Sequence, residues 1–99
     1  MEQKELIETI EKAARERAKT LDLSEMRITE LPDEIGELVN LNEFRLGHNQ
    51  LSTLPEQIGQ LANLRILDLL TNRFRRLPEQ IRYLTNLELF GFPILSHAS

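Results

Sequence analysis

The chain has 99 residues, no cysteine and a net charge of −4, which bounds it to one domain and excludes a disulfide framework or a thiolate metal site. No apolar run approaches a membrane span, and no apolar stretch of the signal-peptide kind follows the charged opening Met1-Glu2-Gln3-Lys4-Glu5. With no Asn-x-Ser/Thr sequon present, these features point to a reducing, cytoplasmic setting.

The charge is unevenly spread. Residues 1–19 sum to zero, residues 20–40 to −5 and residues 64–86 to +3. Such a gradient steers encounters with charged partners.

In chain order, residues 1–19 form an N-terminal cap. Leu6, Ile7, Ile10, Ala13, Ala14 and Ala18 recur at helical spacing, which predicts an amphipathic helix over 3–19. Acids lead and bases trail (Glu2, Glu5 and Glu8, then Arg15, Arg17 and Lys19), complementing the helix dipole. Zero net charge and small alanines argue against a membrane-surface role.

Residues 20–99 form the second segment, whose units repeat every 23 residues: 18–40, 41–63, 64–86 and a partial unit at 87–99. Pro32, Pro55 and Pro78 share one phase. Leu21 and Leu23, Phe44 and Leu46, and Leu67 and Leu69 share another. A fixed period of this length signals a solenoid, whose first coil needs a cap with a polar outer face. Each x-Leu-x-Leu-x reads as a short strand and each Leu-Pro-x-x-Ile-x-x-Leu as a short helical return. Proline there is expected at the first helical position, and Gly36 and Gly59 are expected to ease tight backbone passage. Asn49 and Asn72 sit where the chain leaves the strand. Each is expected to donate to the neighbouring coil and accept from its own turn. Met26 and Leu95 stand in their place in the terminal units. Phe44, Phe74, Phe90 and Phe92 replace the usual aliphatic, with extra volume expected toward the C-terminal end to close the last coil.

The joined order Leu-Pro-x-x-Ile-x-x-Leu-x-Asn and Leu-x-x-Leu-x-Leu-x-x-Asn-x-Leu resembles the 23-residue leucine-rich repeats of intracellular proteins. These include Ras-pathway scaffolds, plant Ras-group repeat proteins and bacterial Roco-type GTPases with their short relatives. The resemblance implies an α/β fold: a right-handed solenoid of about three and a half repeats, with a short parallel sheet on its concave face. It also implies a signal-transduction scaffold that binds a partner protein through that face. The alternatives are a self-associating element and a fragment of a larger GTPase-linked array. At its end, Phe90-Gly91-Phe92-Pro93-Ile94-Leu95 departs from the usual Leu-x-Gly-Asn-Pro-Leu.

In that fold the variable strand positions make the candidate surface, which holds Arg45, His48, Ile66, Asp68, Leu70, Thr71, Arg73 and Leu89. Asp22, Arg45 and Asp68 occupy one column, so a cross-strand charge ladder is expected. Ile66, Leu70, Leu89 and Ile94 are apolar where the repeat does not demand it, which marks an interaction patch or a surface covered by residues 93–99. Arg73, Arg75 and Arg76 form a basic cluster suited to an acidic partner or to the acidic first unit of another copy. Nucleic acid is excluded by the acidic balance and the lack of an aromatic platform. His48 and His97 are the only histidines, and no nucleophile or phosphate-loop motif accompanies them. Neither catalysis, a small-molecule substrate, a metal nor a cofactor is expected.

Overall fold

The computed structural model describes residues 1–92. Helix α1 spans Gln3–Arg15 and turns its apolar stripe inward, burying Leu6, Ile10 and Ala13. It stops four residues before the expected end at residue 19. Arg17 takes a left-handed conformation (φ 52°). Its N–H donates to Ala14 O, and the Ala18 N–H donates to Ala13 O. These two bonds make a Schellman stop with arginine where glycine is usual, so no residue type announced it.

Four three-residue strands follow: β1 Thr20–Asp22, β2 Glu43–Arg45, β3 Ile66–Asp68 and β4 Leu89–Gly91. They form one parallel sheet in sequence order. The register matches Leu21 to Phe44, Phe44 to Leu67 and Leu67 to Phe90, so every pairing is one 23-residue step. The ladder repeats with the period too. Leu23 N–H donates to Arg45 O, Leu46 to Asp68 O and Leu69 to Gly91 O, each at 2.8 Å.

Between strands the chain returns through short 3-10 helices at Asp33–Glu37, Glu56–Gln60 and Glu79–Tyr83. Each proline precedes its helix as the N-cap residue, one place earlier than expected. From there the carbonyls of Pro32, Pro55 and Pro78 accept from Ile35, Ile58 and Ile81, closing the first turn. Proline fits there because it brings no N–H that would need a partner.

The core runs between sheet and returns. Phe44, Leu46, Leu51, Ile58, Leu61, Leu64, Leu67 and Leu69 are fully buried, each contributing on the order of 1.5–3 kcal/mol of hydrophobic burial. On the N-terminal side α1 packs on the first return. On the other side the rings of Phe90 and Phe92 stack with centroids 5.6 Å apart, and Phe74 lies 5.5 Å from Phe92. Three of the four phenylalanines therefore gather beside the last strand, while Phe44 lies buried in β2.

Gly36 and Gly59 have no left-handed φ; what they provide is space between coils rather than backbone freedom. A Cβ on Gly36 would stand 2.6 Å from Gln60 Oε1 and 3.1 Å from Gln57 Cβ, and one on Gly59 would stand 3.3 Å from the Tyr83 ring. Each glycine leaves room for side chains of the next return.

Candidate functional site

The strand exits fix the geometry of the open sheet face. Asn49 is buried there, and its Nδ2 donates to Leu23 O of the preceding coil (2.9 Å) and to Leu46 O of its own turn (3.0 Å). Its Oδ1 accepts from Met26 and Ile28, both on the preceding coil. Asn72 repeats the scheme, donating to Leu46 O and Leu69 O and accepting from Leu51 N–H. The expected donation to the neighbour is present. The acceptance is not from the residue's own turn, because that turn's N–H groups are engaged elsewhere, His48 with Leu70 O and Gln50 with Ile28 O, while those of the preceding coil reach the Asn49 amide. A second column appears at the return corners, where Asn63 and Asn86 donate to Val39 O and Ala62 O.

The residue before each ladder position has left-handed φ: Glu25 at 57°, His48 at 57° and Thr71 at 59°. His48 and Thr71, read as surface candidates, are exposed, and they also carry the turn out of the strand. A β-branched residue is strained in this region, which makes Thr71 the least comfortable of the three.

The Asp22–Arg45–Asp68 ladder does not form. Arg45 Nε instead pairs with Glu43 Oε2, 2.6 Å away on its own strand. The aspartates are engaged locally, Asp22 Oδ1 accepting from Ser24 N–H at 2.9 Å and Asp68 Oδ1 from Leu70 N–H at 3.0 Å. The hydrogen bonds from Ser24 hold the Asp22 carboxyl below its usual range, with the Arg45 charge adding a smaller pull.

A shallow groove of about 170 Å³ opens beside β3 and β4, lined by Arg45, Ile66, Leu67, Asp68, Leu70, Leu89 and Gly91. It gathers five of the sequence candidates: Arg45, Ile66, Asp68, Leu70 and Leu89. His48, Thr71 and Arg73 lie outside its lining. Leu70 and Leu89 are 46% and 59% exposed, and Ile66 is half-buried. Gly91, in the same strand column as Arg45 and Asp68, lines the groove as well. A Cβ there would stand 3.1 Å from Asp68 Oδ1 and 3.2 Å from Leu70 Cγ, so any side chain at this place would press on both groove residues. Pro93, Ile94 and Leu95 lie outside the described residues.

A larger cleft, about 360 Å³, lies on the flank between the second and third returns, where Glu56 and Glu79 stand with Arg76 and Arg82 around Leu77 and Tyr83. Leu77 and Tyr83 are 51% and 57% exposed there. Sequence reasoning counted Leu77 as framework and overlooked Tyr83, because the period marks a position without saying whether the next coil covers it. Among the described residues no cluster of His, Asp or Glu converges as a metal site, and no helix is long and apolar enough to cross a membrane.

Comparison with known proteins agrees with this architecture. Nothing among curated proteins matches. Among solved structures, a leucine-rich repeat protein of Leptospira interrogans superposes with a TM-score of 0.61 at 46% identity, covering 64% of this chain and 16% of that one. This chain therefore spans less than a fifth of that protein's length. Residues 14–97 match the family described as Leucine-rich repeat region. Parallel strands stacked at a constant step, the asparagine ladder and this match over most of the chain place it in the leucine-rich repeat family.

Proposed function

We propose that the chain is a non-catalytic interaction module that binds a partner protein through the concave strand face, as a cytoplasmic scaffold of the 23-residue repeat class that includes Ras-pathway and Roco-type proteins. Leucine-rich repeat domains generally mediate protein–protein contacts. The observation that carries the reading is the exposure of Leu70 and Leu89 beside Ile66, at positions where the repeat does not require an apolar residue. Exposed apolar clusters of this kind mark interaction sites, and a preformed sheet binds with little ordering cost. Arg45 and Asp68 supply a charge of each sign at the groove's edge.

The test is a Leu70→Glu/Leu89→Glu double variant of the full chain. Its circular dichroism should match the parent's, because both side chains face outward. Tagged parent and variant are used to capture proteins from the source, with quantitative mass spectrometry as readout. Loss of specific proteins from the variant supports the reading, and an unchanged set overturns it. A second reading, a unit of a longer repeat array, is favoured by the 16% span on the Leptospira protein; there the same face would act together with neighbouring coils.

A further inference from the structure

Three equivalent segments run from strand exit to return on one flank of the solenoid, and their charges form a staircase. Residues 25–37 carry Glu25, Glu30, Asp33, Glu34 and Glu37 against Arg27, a net −4. Residues 48–60 carry Glu56 alone, −1, and residues 71–83 carry Arg73, Arg75, Arg76 and Arg82 against Glu79, +3. Because the three coils stack in order, this is a polarity along the solenoid axis on a single side of the molecule. Apolar exposure on the flank is greatest at the basic end, where Leu77 and Tyr83 open into a cleft bordered by Arg76 and Arg82 and also by Glu56 and Glu79, while Met26, 38% exposed, stands at the acidic end. The Arg82 guanidinium lies 5.0 Å from the Tyr83 ring centroid, and its Nη2 donates to the tyrosine Oη at 3.0 Å. That holds the cation against the apolar surface.

A surface whose charge runs from negative to positive along one axis is complementary to itself when turned end for end. We infer that this flank is the interface of an antiparallel two-fold dimer: the third-coil cleft of one copy receives the acidic first return of the other, and the second coils face each other. A two-fold axis makes both contacts at once and closes the assembly. The second coil, nearly neutral, meets its own copy without repulsion. Val39 is 51% exposed just beyond the first return, so the acidic end also brings an apolar side chain toward Leu77 and Tyr83. The strand face plays no part in this contact, so two copies would display two concave surfaces, and this inference stands or falls apart from the partner-binding reading.

The experiment is sedimentation equilibrium on the full chain across a concentration series. The weight-average mass should climb from 11.5 kDa and level off at twice that value. Raising salt from about 0.05 M to about 0.5 M should weaken association about tenfold, because the paired charges are screened. Two charge reversals sharpen the test. Arg75→Glu/Arg76→Glu/Arg82→Glu takes residues 71–83 from +3 to −3 and leaves both ends acidic, and Glu30→Lys/Asp33→Lys/Glu37→Lys takes residues 25–37 from −4 to +2 and makes both ends basic. Each variant alone should stay a monomer, whereas an equimolar mixture should form a one-to-one heterodimer with both contacts restored. Recovery in the mixture also shows that the variants are folded. A parent and mixture that are both monomeric at every concentration overturn the proposal. So does a dimer that survives each reversal alone, and so does mass growth beyond two copies.

Discussion

At the N-terminal end of the solenoid Leu31 and Ile35 are 3% and 0% exposed, covered by α1 on one side and the second return on the other. Two periods later the same residue types behave differently. Leu77 is 51% exposed and Ile81 only half-buried. Their backbones are equivalent, each set beside an N-cap proline and a five-residue return. What differs is the neighbour. A framework leucine in a solenoid draws its stabilising energy from the adjacent coil rather than from its own, so one motif can be core at one end and surface at the other.

The contrast is broken most directly by truncation. Ile35→Ala should cost about 2–5 kcal/mol, as a buried cavity does. Leu77→Ala should cost under about 1 kcal/mol, since little area is lost. Urea denaturation of both variants measures the gap, and equal losses would show that position rather than cover sets the energy.

A smaller difference separates the two ladder asparagines. Asn49 accepts from two backbone N–H groups of the capped first coil, Asn72 from one of the second. Removing the amide strands those donors, so Asn49→Ala should cost about 2–3 kcal/mol and Asn72→Ala about 1–2 kcal/mol. The same denaturation experiment ranks them. A reversed order would place the stronger coupling at the open end.

The smallest effect has the opposite sign. Thr71→Asn relieves a β-branched side chain in left-handed backbone and should raise stability by about 0.5–1 kcal/mol. Glu25→Asn, at the equivalent place in the first coil, should give less, because glutamate is unbranched at Cβ. Thermal melts of the two variants side by side read the difference.

These effects also divide what the amino-acid order disclosed from what it did not. Leu46, Leu69, Ile58 and Phe44 were legible as core because an apolar residue recurs at each of their positions every 23 residues. Asn49 and Asn72 were legible as ladder residues, since a polar side chain at a strand exit in two successive internal coils has few other uses. The pairing of Arg45 was not legible. Column alignment compares strands and is blind to a bond along one strand, and it cannot see that Asp22 and Asp68 already accept N–H groups from Ser24 and Leu70. The left-handed turns at Arg17, Glu25 and Thr71 were hidden because none carries glycine. Of the candidate surface, the groove residues Ile66, Leu70 and Leu89 stood out as apolar exceptions to the pattern. The flank cleft did not, since Leu77 satisfies the pattern and only the absence of cover at that place makes it a surface.

Gly36 and Gly59 have a consequence for how such a molecule can change length. Each is a slot into which the following return lays a side chain, Gln60 into the first and Tyr83 into the second. In the third return that place is held by Arg82. Duplicating residues 41–63 inside the stack would set one slot against another Gln60 and preserve the fit. Adding the same unit beyond residue 86 would drive its glutamine onto a guanidinium already resting on Tyr83. Insertion within the stack thus keeps the slot, whereas a return laid on the third coil meets the exposed Arg82 side chain in place of a glycine, and Arg82→Gly would restore the slot.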